Sequence, residues 1–527
     1  MSTIARPNNF FSNLLSDKGL TKKAYLNALT VILEYAAGLI VGFLITPLMV
    51  AGLGNYLFGM WQILNRLIGY VAPVSGRPGF ALKATLANQQ ASTDYDQKRR
   101  YVGSTLVIWL LFLPLLIGVG GTVSWYVPYW VRATTDNVWV IRAVAGLLVL
   151  NTIVGALSSV PQVTLQGENL GYKRMGMSVI LVFAGGSFTW LALYFKAGII
   201  GVAFAAVALT CVTGLFYLWV VKSHAPWFGI TKPRIADTRQ MLGLSWWFMG
   251  WNVVTTLLLA SDVVVLGLLN SVESVTNYSL TKYVPETLIG VIVIVIFGIT
   301  PGLGGIIGTG DYQRAARLRE EINSSVWLVA TTLGASILIW NRVFINLWVG
   351  ADHYSGSIPN LLVVVAAMQL ALIRSDGTII DLTLHLGQKV LLGLLSVVIS
   401  VVAASILIGY FKLSIVGLCL GIISGRLIIS FCYPMLITRF LGVVQPLKNM
   451  LRPAVVTIML FSTSVGLDMF FSDAIKSEVA GWFSFVLFAG VTGFFMLWIS
   501  FYAGLSGDQR RIILRRVKAV LATFRAS

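Results

Sequence analysis

Five ionisable side chains lie inside long apolar segments of the chain: Glu34, Arg66, Asp262, Lys282 and Glu286. A charge at the centre of a bilayer costs about 2.5–3.5 kcal/mol on insertion scales, so each of these side chains needs a partner or a polar cavity. The two cations are suited to binding an anionic group. The carboxylates leave two interpretations open, which are binding of Na⁺ or H⁺ and neutralisation of the two cations.

Other ionisable residues lie deep in apolar segments or at their ends. Arg426 is deep in one segment, and we predict that it lines the same cavity as the two cations above. Arg374, Asp376 and Asp381 cluster at the end of another, where they form either a salt-bridged inner gate or a solvated helix end. Pro285 interrupts the backbone hydrogen bonds of its helix and is a candidate hinge.

The composition places these residues in a membrane. Of 527 residues, 57% are hydrophobic and only 11% are charged, whereas soluble chains average about 25% charged. A helix needs about 20 apolar residues to cross the hydrocarbon core. We therefore predict an all-α polytopic membrane protein of about fourteen spans, at 26–47, 56–74, 102–124, 141–161, 177–195, 198–221, 244–269, 277–300, 325–345, 359–380, 390–409, 413–435, 453–471 and 481–503.

The basic residues predict the orientation of the spans. With a cytoplasmic N terminus, 29 of the 38 Lys and Arg residues fall in cytoplasmic segments and five on the opposite side, as the positive-inside rule requires. We therefore predict that both termini are cytoplasmic and that the basic tail binds anionic lipid. The net charge of +18 follows from this topology, so we expect no nucleic-acid binding.

A weak internal repeat divides the spans into two halves. Residues 170–173 (LGYK) recur as 386–389 (LGQK), 216 positions later, and three further matches have offsets of 216–218. Because the repeat covers six spans, both copies have the same orientation in the membrane. We predict a cytoplasmic segment 1–24, an N-lobe 25–221, a cytoplasmic linker 222–243, a pseudo-symmetric C-lobe 244–436, two extra helices in 437–503 and a cytoplasmic tail 504–527.

The repeat brings the two central cations into correspondence. Trp61 and Tyr278 are equivalent positions, and Arg66 and Lys282 follow them by five and four residues. We predict that the cations face each other across the interface between the lobes. Glu286 stands four residues after Lys282, on the same helix face. The alternative is therefore an ion pair within this helix, which would partly neutralise Lys282 and weaken its binding of an anion.

Several loose motifs resemble those of the polysaccharide transporters (Wzx-type lipid-linked oligosaccharide flippases) of the multidrug/oligosaccharidyl-lipid/polysaccharide (MOP) exporter superfamily. The resemblance extends over essentially the whole chain. The stretches that carry it are Pro47 followed by Leu53-Gly54-Asn55-Tyr56-Leu57-Phe58-Gly59-Met60-Trp61, the loop from Gln166-Gly167 to Lys173-Arg174, Ser261-Asp262-Val263-Val264-Val265-Leu266-Gly267 with Asn277-Tyr278, and Leu347-Trp348-Val349-Gly350.

The resemblance implies a flippase that moves a polyprenyl-diphosphate-linked glycan from the inner to the outer leaflet of a bacterial cytoplasmic membrane, for a surface polysaccharide such as O-antigen or exopolysaccharide. It implies two lobes around a central cavity that is often cationic, in which Arg66, Lys282 and Arg426 would bind the diphosphate. A coupling ion, Na⁺ or H⁺, and a neighbouring polysaccharide polymerase are further implications. No cofactor is implied.

Two rival functions remain open. A cation-coupled drug antiporter of the same superfamily would use Glu34 and Asp262 and favour an acidic cavity. A membrane glycosyltransferase or polymerase is disfavoured, because such enzymes usually carry a large soluble domain or a long outside loop, and the predicted outside loops are short. The three His and three Cys are scattered without metal-ligand spacing, so no metal site is expected.

Overall fold

The computed structural model describes residues 20–76, 78–89, 92–133, 135–308, 310–382, 386–442, 448–478 and 481–526. These ranges contain sixteen α-helices and no β-strand. Most of the predicted cytoplasmic segment 1–24 lies outside them. The helices are α1 (Leu20–Gly69), α2 (Pro78–Asn88), α3 (Tyr95–Trp130), α4 (Val138–Gly167), α5 (Met175–Tyr194), α6 (Gly198–His224), α7 (Ile235–Leu269), α8 (Val272–Thr281), α9 (Tyr283–Gly308), α10 (Tyr312–Trp348), α11 (Ser357–Leu382), α12 (Leu386–Gly409), α13 (Ser414–Leu441), α14 (Lys448–Glu478), α15 (Trp482–Ile499) and α16 (Gly507–Ala526).

Among the described residues, eleven helices are long and apolar enough to cross a membrane, or up to twelve if α7, which bends by 53° after Leu258, counts as one span. The sequence predicts fourteen. The predicted span 26–47 and residues 56–69 of the predicted span 56–74 lie in α1, a helical segment that a kink divides in two. Another lies on α9, where only Tyr283–Ile292 qualifies as a shorter apolar helix. The predicted class, an all-α multi-pass membrane protein, is confirmed.

Gly54 separates the two halves of α1. Its φ of 75° and ψ of 170° lie outside the helical region, and glycine adopts a positive φ without the steric cost that a Cβ would add. The two predicted spans are therefore two helices that meet at a kink, with no loop between them.

The chain divides into two compact units, and the division falls close to this kink. Unit 1 comprises residues 1–52, 70–129 and 133–252, and unit 2 comprises 53–69, 130–132 and 253–527. Residues 53–69, predicted to belong to the N-lobe, thus pack with unit 2. The predicted lobes and their pseudo-symmetry remain predictions, because a compact unit does not by itself establish a repeat.

One buried apolar cluster of unit 1 lies at the ends of α3, α4 and α6 nearest the connection to α7. Leu82 and Leu86 of α2 are fully buried there. Two ion pairs tie the start of α3 to neighbouring segments: Lys98 bonds Glu168 at 2.9 Å, and Arg100 bonds Asp237 at 3.1 Å. The connection that precedes α7 is therefore held to unit 1 by charge as well as by apolar packing.

Unit 2 is organised around α10. In the most apolar window of this helix, 72% of the residues are buried, compared with 11% in α15. It packs against α9, α11, α14 and α15, and the indole Nε1 of Trp340 donates to Oγ1 of Thr492 at 2.7 Å. Because α10 is enclosed by other helices, it is the element against which α9 and α11 are positioned.

Candidate functional site

Several predicted site residues of unit 2 gather where α8 ends and α9 begins. Helix α8 is capped by Ser271, whose Oγ accepts a hydrogen bond from the amide of Ser274 at 3.2 Å; such a cap satisfies one of the free amides of the first turn. The helix ends at Thr281, and α9 begins at Tyr283. Lys282 therefore occupies the junction itself.

Pro285 explains the break between α8 and α9, and Asn341 supplies the hydrogen bond that the break would otherwise leave unmade. Proline has no amide hydrogen, so the carbonyl four residues earlier, that of Thr281, lacks its usual helical donor. Nδ2 of Asn341 donates to this carbonyl at 2.9 Å and also to Oδ1 of Asn360 at 2.7 Å. Both asparagines are buried. Side chains of α10 and α11 thus hold the break, and the role of Pro285 as a hinge remains a prediction.

The connection between α10 and α11 also contacts the break. Thr281 Oγ1 donates to Ser355 Oγ and accepts from the amide of Ser355, both at 3.0 Å. Asp468 of α14 anchors the connection by accepting from Ser357 Oγ at 2.5 Å and from the hydroxyl of Tyr354 at 3.2 Å. Burial and the Asp468 carboxylate raise the pKa of Tyr354 above its usual value, so the phenol stays a hydrogen-bond donor.

Lys282, at the break, forms a buried ion pair with Asp262 of α7. The Lys282 Nζ lies 2.5 Å from Oδ2 of Asp262, and 10% and 11% of the two side chains are exposed. The hydroxyl of Tyr278 donates to the same carboxylate oxygen at 2.8 Å. A buried pair tolerates desolvation only when further hydrogen bonds satisfy its charges, and Tyr278 provides one of them.

Glu286 links this pair to Arg66. Its Oε1 lies 3.5 Å from Lys282 Nζ and 3.4 Å from Arg66 Nη2. The side chain of Glu286 is 46% exposed and that of Arg66 33% exposed. Charged groups within membrane-spanning helices avoid hydrocarbon, so we expect the partly exposed edge of the network to face a polar space rather than lipid.

The structure therefore brings Arg66, Lys282, Asp262 and Glu286 together. Arg66 and Lys282 both belong to unit 2, because residues 53–69 pack with that unit, whereas the sequence pattern places the two cations on different lobes. The network thus consists of two cations and two carboxylates. Arg66 comes from α1, Asp262 from α7 and Glu286 from α9, and Lys282 lies at the junction between α8 and α9. We refer to these four residues as the charge network.

Arg426 lies near the charge network but is held differently. Its guanidinium donates to the main-chain carbonyls of Ala366 and Leu258, each at 3.2 Å, and the side chain is buried. The charge of Arg426 is close enough to that of Asp262 for the two to interact. Arg426 therefore cross-links α7, α11 and α13, and its contact with a substrate remains a prediction.

The three residues predicted to form an inner gate have separate partners. Asp376 accepts from Arg319 Nε of α10 at 2.9 Å, and Asp381 bonds Lys389 Nζ of α12 at 2.6 Å. The ion pairs found in the described part of the chain do not include Arg374. The cluster is thus split into two contacts between helices, and a gating role remains a prediction.

Glu34 lies on α1 in unit 1 and is half-buried, whereas the charge network belongs to unit 2. The described ranges contain no group of three or more His, Cys, Asp or Glu that could hold a metal ion. Ion coupling through Glu34 or Asp262 stays a prediction.

Sequence reasoning did not single out Asn341, Asn360 or Arg319. Asn341 follows Trp340 within a long apolar run, and Asn360 begins the next one. An amide in an apolar span needs a hydrogen-bond partner, so it signals a buried polar contact. That signal is weaker than a charge, and it does not identify the partner.

The chain matches no protein-family model and no curated protein sequence, but solved structures share its fold. Lipid II flippase MurJ in an inward closed conformation has a TM-score of 0.67 at 11% identity, covering 91% of this chain and 98% of that chain. An inward-facing multidrug resistance MATE family transporter of the MOP superfamily has a TM-score of 0.58 at 14% identity, covering 78% and 94%. A MOP superfamily transporter from Pyrococcus furiosus has a TM-score of 0.53 at 15% identity, covering 83% and 99%.

Identities this low establish the fold alone. The chain is a multi-pass membrane protein with the fold shared by MOP superfamily transporters, and its structural neighbours are transporters and a flippase rather than enzymes. The resemblance found in the sequence is confirmed at the level of the superfamily fold.

Proposed function

We propose that this protein flips a polyprenyl-diphosphate-linked oligosaccharide from the inner to the outer leaflet of a bacterial cytoplasmic membrane by alternating access. The lipid tail stays in the bilayer while the diphosphate and the glycan cross within the protein. No covalent step is required. The coupling of the movement to an ion gradient is part of the proposal and rests on the intramembrane carboxylates.

One observation carries this proposal: the partly exposed edge of the charge network, formed by Arg66 and Glu286. Arg66 can donate two parallel hydrogen bonds to a phosphate, and Lys282 adds a point charge nearby. In the absence of substrate, Glu286 neutralises both cations at 3.4–3.5 Å. A bound diphosphate would replace Glu286 as their partner, and the Glu286 carboxylate, which is about half exposed, would then be solvated by water.

Asp262 has a different place in this scheme. It is buried and held by both Lys282 and Tyr278, which fits a fixed counter-charge better than a carboxylate that exchanges Na⁺ or H⁺. We therefore propose that Asp262 orients Lys282. Glu286, which is about half exposed, is the carboxylate free to change its partner.

A second candidate function is a cation-coupled antiporter, and the exposure of Glu286 is the observation that favours it. A cationic substrate would bind this carboxylate and displace Arg66. The two candidates thus predict opposite substrate charges at the same site.

The deciding experiment is lipid analysis of cells that lack this protein. We expect a polyprenyl-diphosphate oligosaccharide to accumulate, detected by mass spectrometry of lipid extracts, and spheroplast labelling to place it on the inner leaflet. Complementation with Arg66→Ala should leave the intermediate in place, whereas Arg66→Lys should reduce it in part because one charge is kept. Arg439→Gln, an exposed arginine at the end of α13, is the matched control and should restore wild-type levels.

Each outcome decides between the candidates. Accumulation that persists with Arg66→Ala, at equal expression, supports the flippase. Absence of any lipid intermediate, with sensitivity to cationic drugs that Glu286→Gln fails to relieve, supports the antiporter. Full activity of an Arg66→Ala/Lys282→Ala double variant would exclude both cations from substrate binding.

A further inference from the structure

A cavity of about 450 Å³ lies within unit 2, away from the charge network. Its walls come from α10, α11, α13 and α14, and Leu505 and Gln509 border it near the start of α16. Its exposed lining is mainly apolar, so an apolar group placed there would gain contacts with the lining side chains.

Most polar groups of the wall are already paired with one another. Arg319 bonds Asp376 at 2.9 Å, and the indole Nε1 of Trp327 donates to Thr457 Oγ1 at 2.9 Å. Nε2 of Gln509 donates to a serine hydroxyl of α10 at 3.1 Å. A buried water is stable only where two to four polar partners remain open. The wall is consequently better suited to an apolar occupant.

The cavity borders the lipid-facing side of α14. Ala454 and Ile458 line it and are exposed, Ile458 to 66%. Exposed apolar side chains of a membrane-spanning helix face acyl chains, so an acyl chain can reach the cavity along this side of α14.

Two arginines that are neighbours in sequence of wall residues both contact Tyr502: Arg452 donates to its carbonyl, and the Arg510 guanidinium lies 5.5 Å from its ring. Arg452 precedes Pro453, and Arg510 follows Gln509. Arg452 is exposed and donates to the carbonyls of Ala503 and Tyr502 at 2.7 and 3.3 Å. The ion pairs among the described residues include neither Arg452 nor Arg510.

We propose that this cavity binds one acyl chain of an anionic phospholipid, whose phosphate is held by Arg452 and Arg510. The cavity supplies the apolar contact and the two arginines supply the charge. The charge bias of the chain places both arginines on the cytoplasmic side, so the lipid belongs to the inner leaflet. This lipid is a resident of unit 2, distinct from any substrate of the charge network.

The test is native mass spectrometry of the purified full-length protein titrated with phosphatidylglycerol or phosphatidylcholine of identical acyl chains. We expect one saturable phosphatidylglycerol, bound more tightly than phosphatidylcholine. Because a basic residue near a membrane surface contributes about 1 kcal/mol toward anionic lipid, each of Arg452→Gln and Arg510→Gln should weaken phosphatidylglycerol binding about fivefold. Arg439→Gln should have no effect.

Substitutions that fill the cavity test the proposal independently of the two arginines. Ala454→Trp should abolish the saturable site for both lipids, whereas Val455→Trp, an exposed neighbour that does not line the cavity, should not. If Ala454→Trp fails to fold, as judged by size-exclusion chromatography, the arginine variants decide alone. Equal affinity for the two lipids overturns the proposal. So does unchanged binding by a folded Ala454→Trp variant, or one-for-one displacement of phosphatidylglycerol by undecaprenyl phosphate.

Discussion

Lys98 in unit 1 and Lys282 in unit 2 are both buried lysines, but their surroundings differ. Lys98 is 2% exposed, bonds Glu168 at 2.9 Å and lies 5.5 Å from the ring of Trp227. Lys282 is bonded to Asp262, but it also reaches Glu286, a carboxylate that is about half exposed. The first lysine is enclosed by its partners. The second belongs to a network with one open edge.

Buried ion pairs thus have two different roles in this protein. An enclosed ion pair joins two segments and has no room for a ligand. An open network can exchange one of its carboxylates for an anion from outside, because the cations stay paired and the displaced carboxylate is exposed enough to be solvated. Burial of a charge is therefore not sufficient to mark a site, and the exposure of its partners is what distinguishes the two regions.

The largest expected effect is a loss of stability, and it is expected when either lysine loses its counter-charge. Asp262→Asn and Glu168→Gln each leave a buried lysine without its main counter-charge, and each should lower the free energy of unfolding by about 3–5 kcal/mol. Unfolding in mixed detergent micelles measures this. A loss below about 1 kcal/mol in either variant would mean that the lysine is not held by that carboxylate.

Removing whole pairs should separate the two regions. Because replacing a buried pair by apolar residues is often neutral, both Lys98→Met/Glu168→Leu and Lys282→Met/Asp262→Leu should regain stability to within about 2 kcal/mol of wild type. We expect only the second double variant to lose function, with the lipid intermediate accumulating as in cells that lack the protein. Equal loss of function in both would remove the distinction drawn between the regions.

A smaller effect is expected at the break beside Lys282. Asn341→Ala removes the donor to the Thr281 carbonyl, and a buried acceptor left unsatisfied costs about 1–3 kcal/mol. Adding Pro285→Ala supplies a backbone amide at the position that bonds this carbonyl in a regular helix, so the double variant should recover part of the loss. Strictly additive losses in the same unfolding assay would contradict this account of the break.

The smallest expected effect on stability is at the open edge. Glu286→Gln removes a carboxylate that is about half exposed, and exposed ion pairs contribute about 0–1 kcal/mol. The stability of this variant should therefore stay close to that of wild type, while its substrate handling changes. A loss above about 2 kcal/mol would place Glu286 with the enclosed pairs.

Part of the charge network is readable from the sequence. The spacing of Lys282 and Glu286 indicates that they share a helix face, and their contact at 3.5 Å agrees with this spacing even though the helix breaks at Lys282. The proline that causes the break is visible as Pro285. The donor that compensates for it, Asn341, is 56 positions farther along the chain, and no local pattern connects the two.

The inner residues show the opposite case. Arg374, Asp376 and Asp381 are neighbours in sequence, which suggests mutual pairing. In the structure Asp376 bonds Arg319, 57 positions away, because α10 packs against α11 and presents that arginine to it. Sequence proximity on a helix predicts a shared region, but the side from which a partner arrives depends on neighbouring helices.

The amino-acid sequence alone indicates that this protein lies in a membrane, that it is helical, and which of its charges need partners. These depend on the transfer of side chains between water and lipid, which is a property of each segment taken alone. The tertiary structure decided which charges meet, that Arg66 packs with unit 2, and that a cavity remains beside α14. Those outcomes depend on the rotation and depth of each helix, and packing against the other helices sets both.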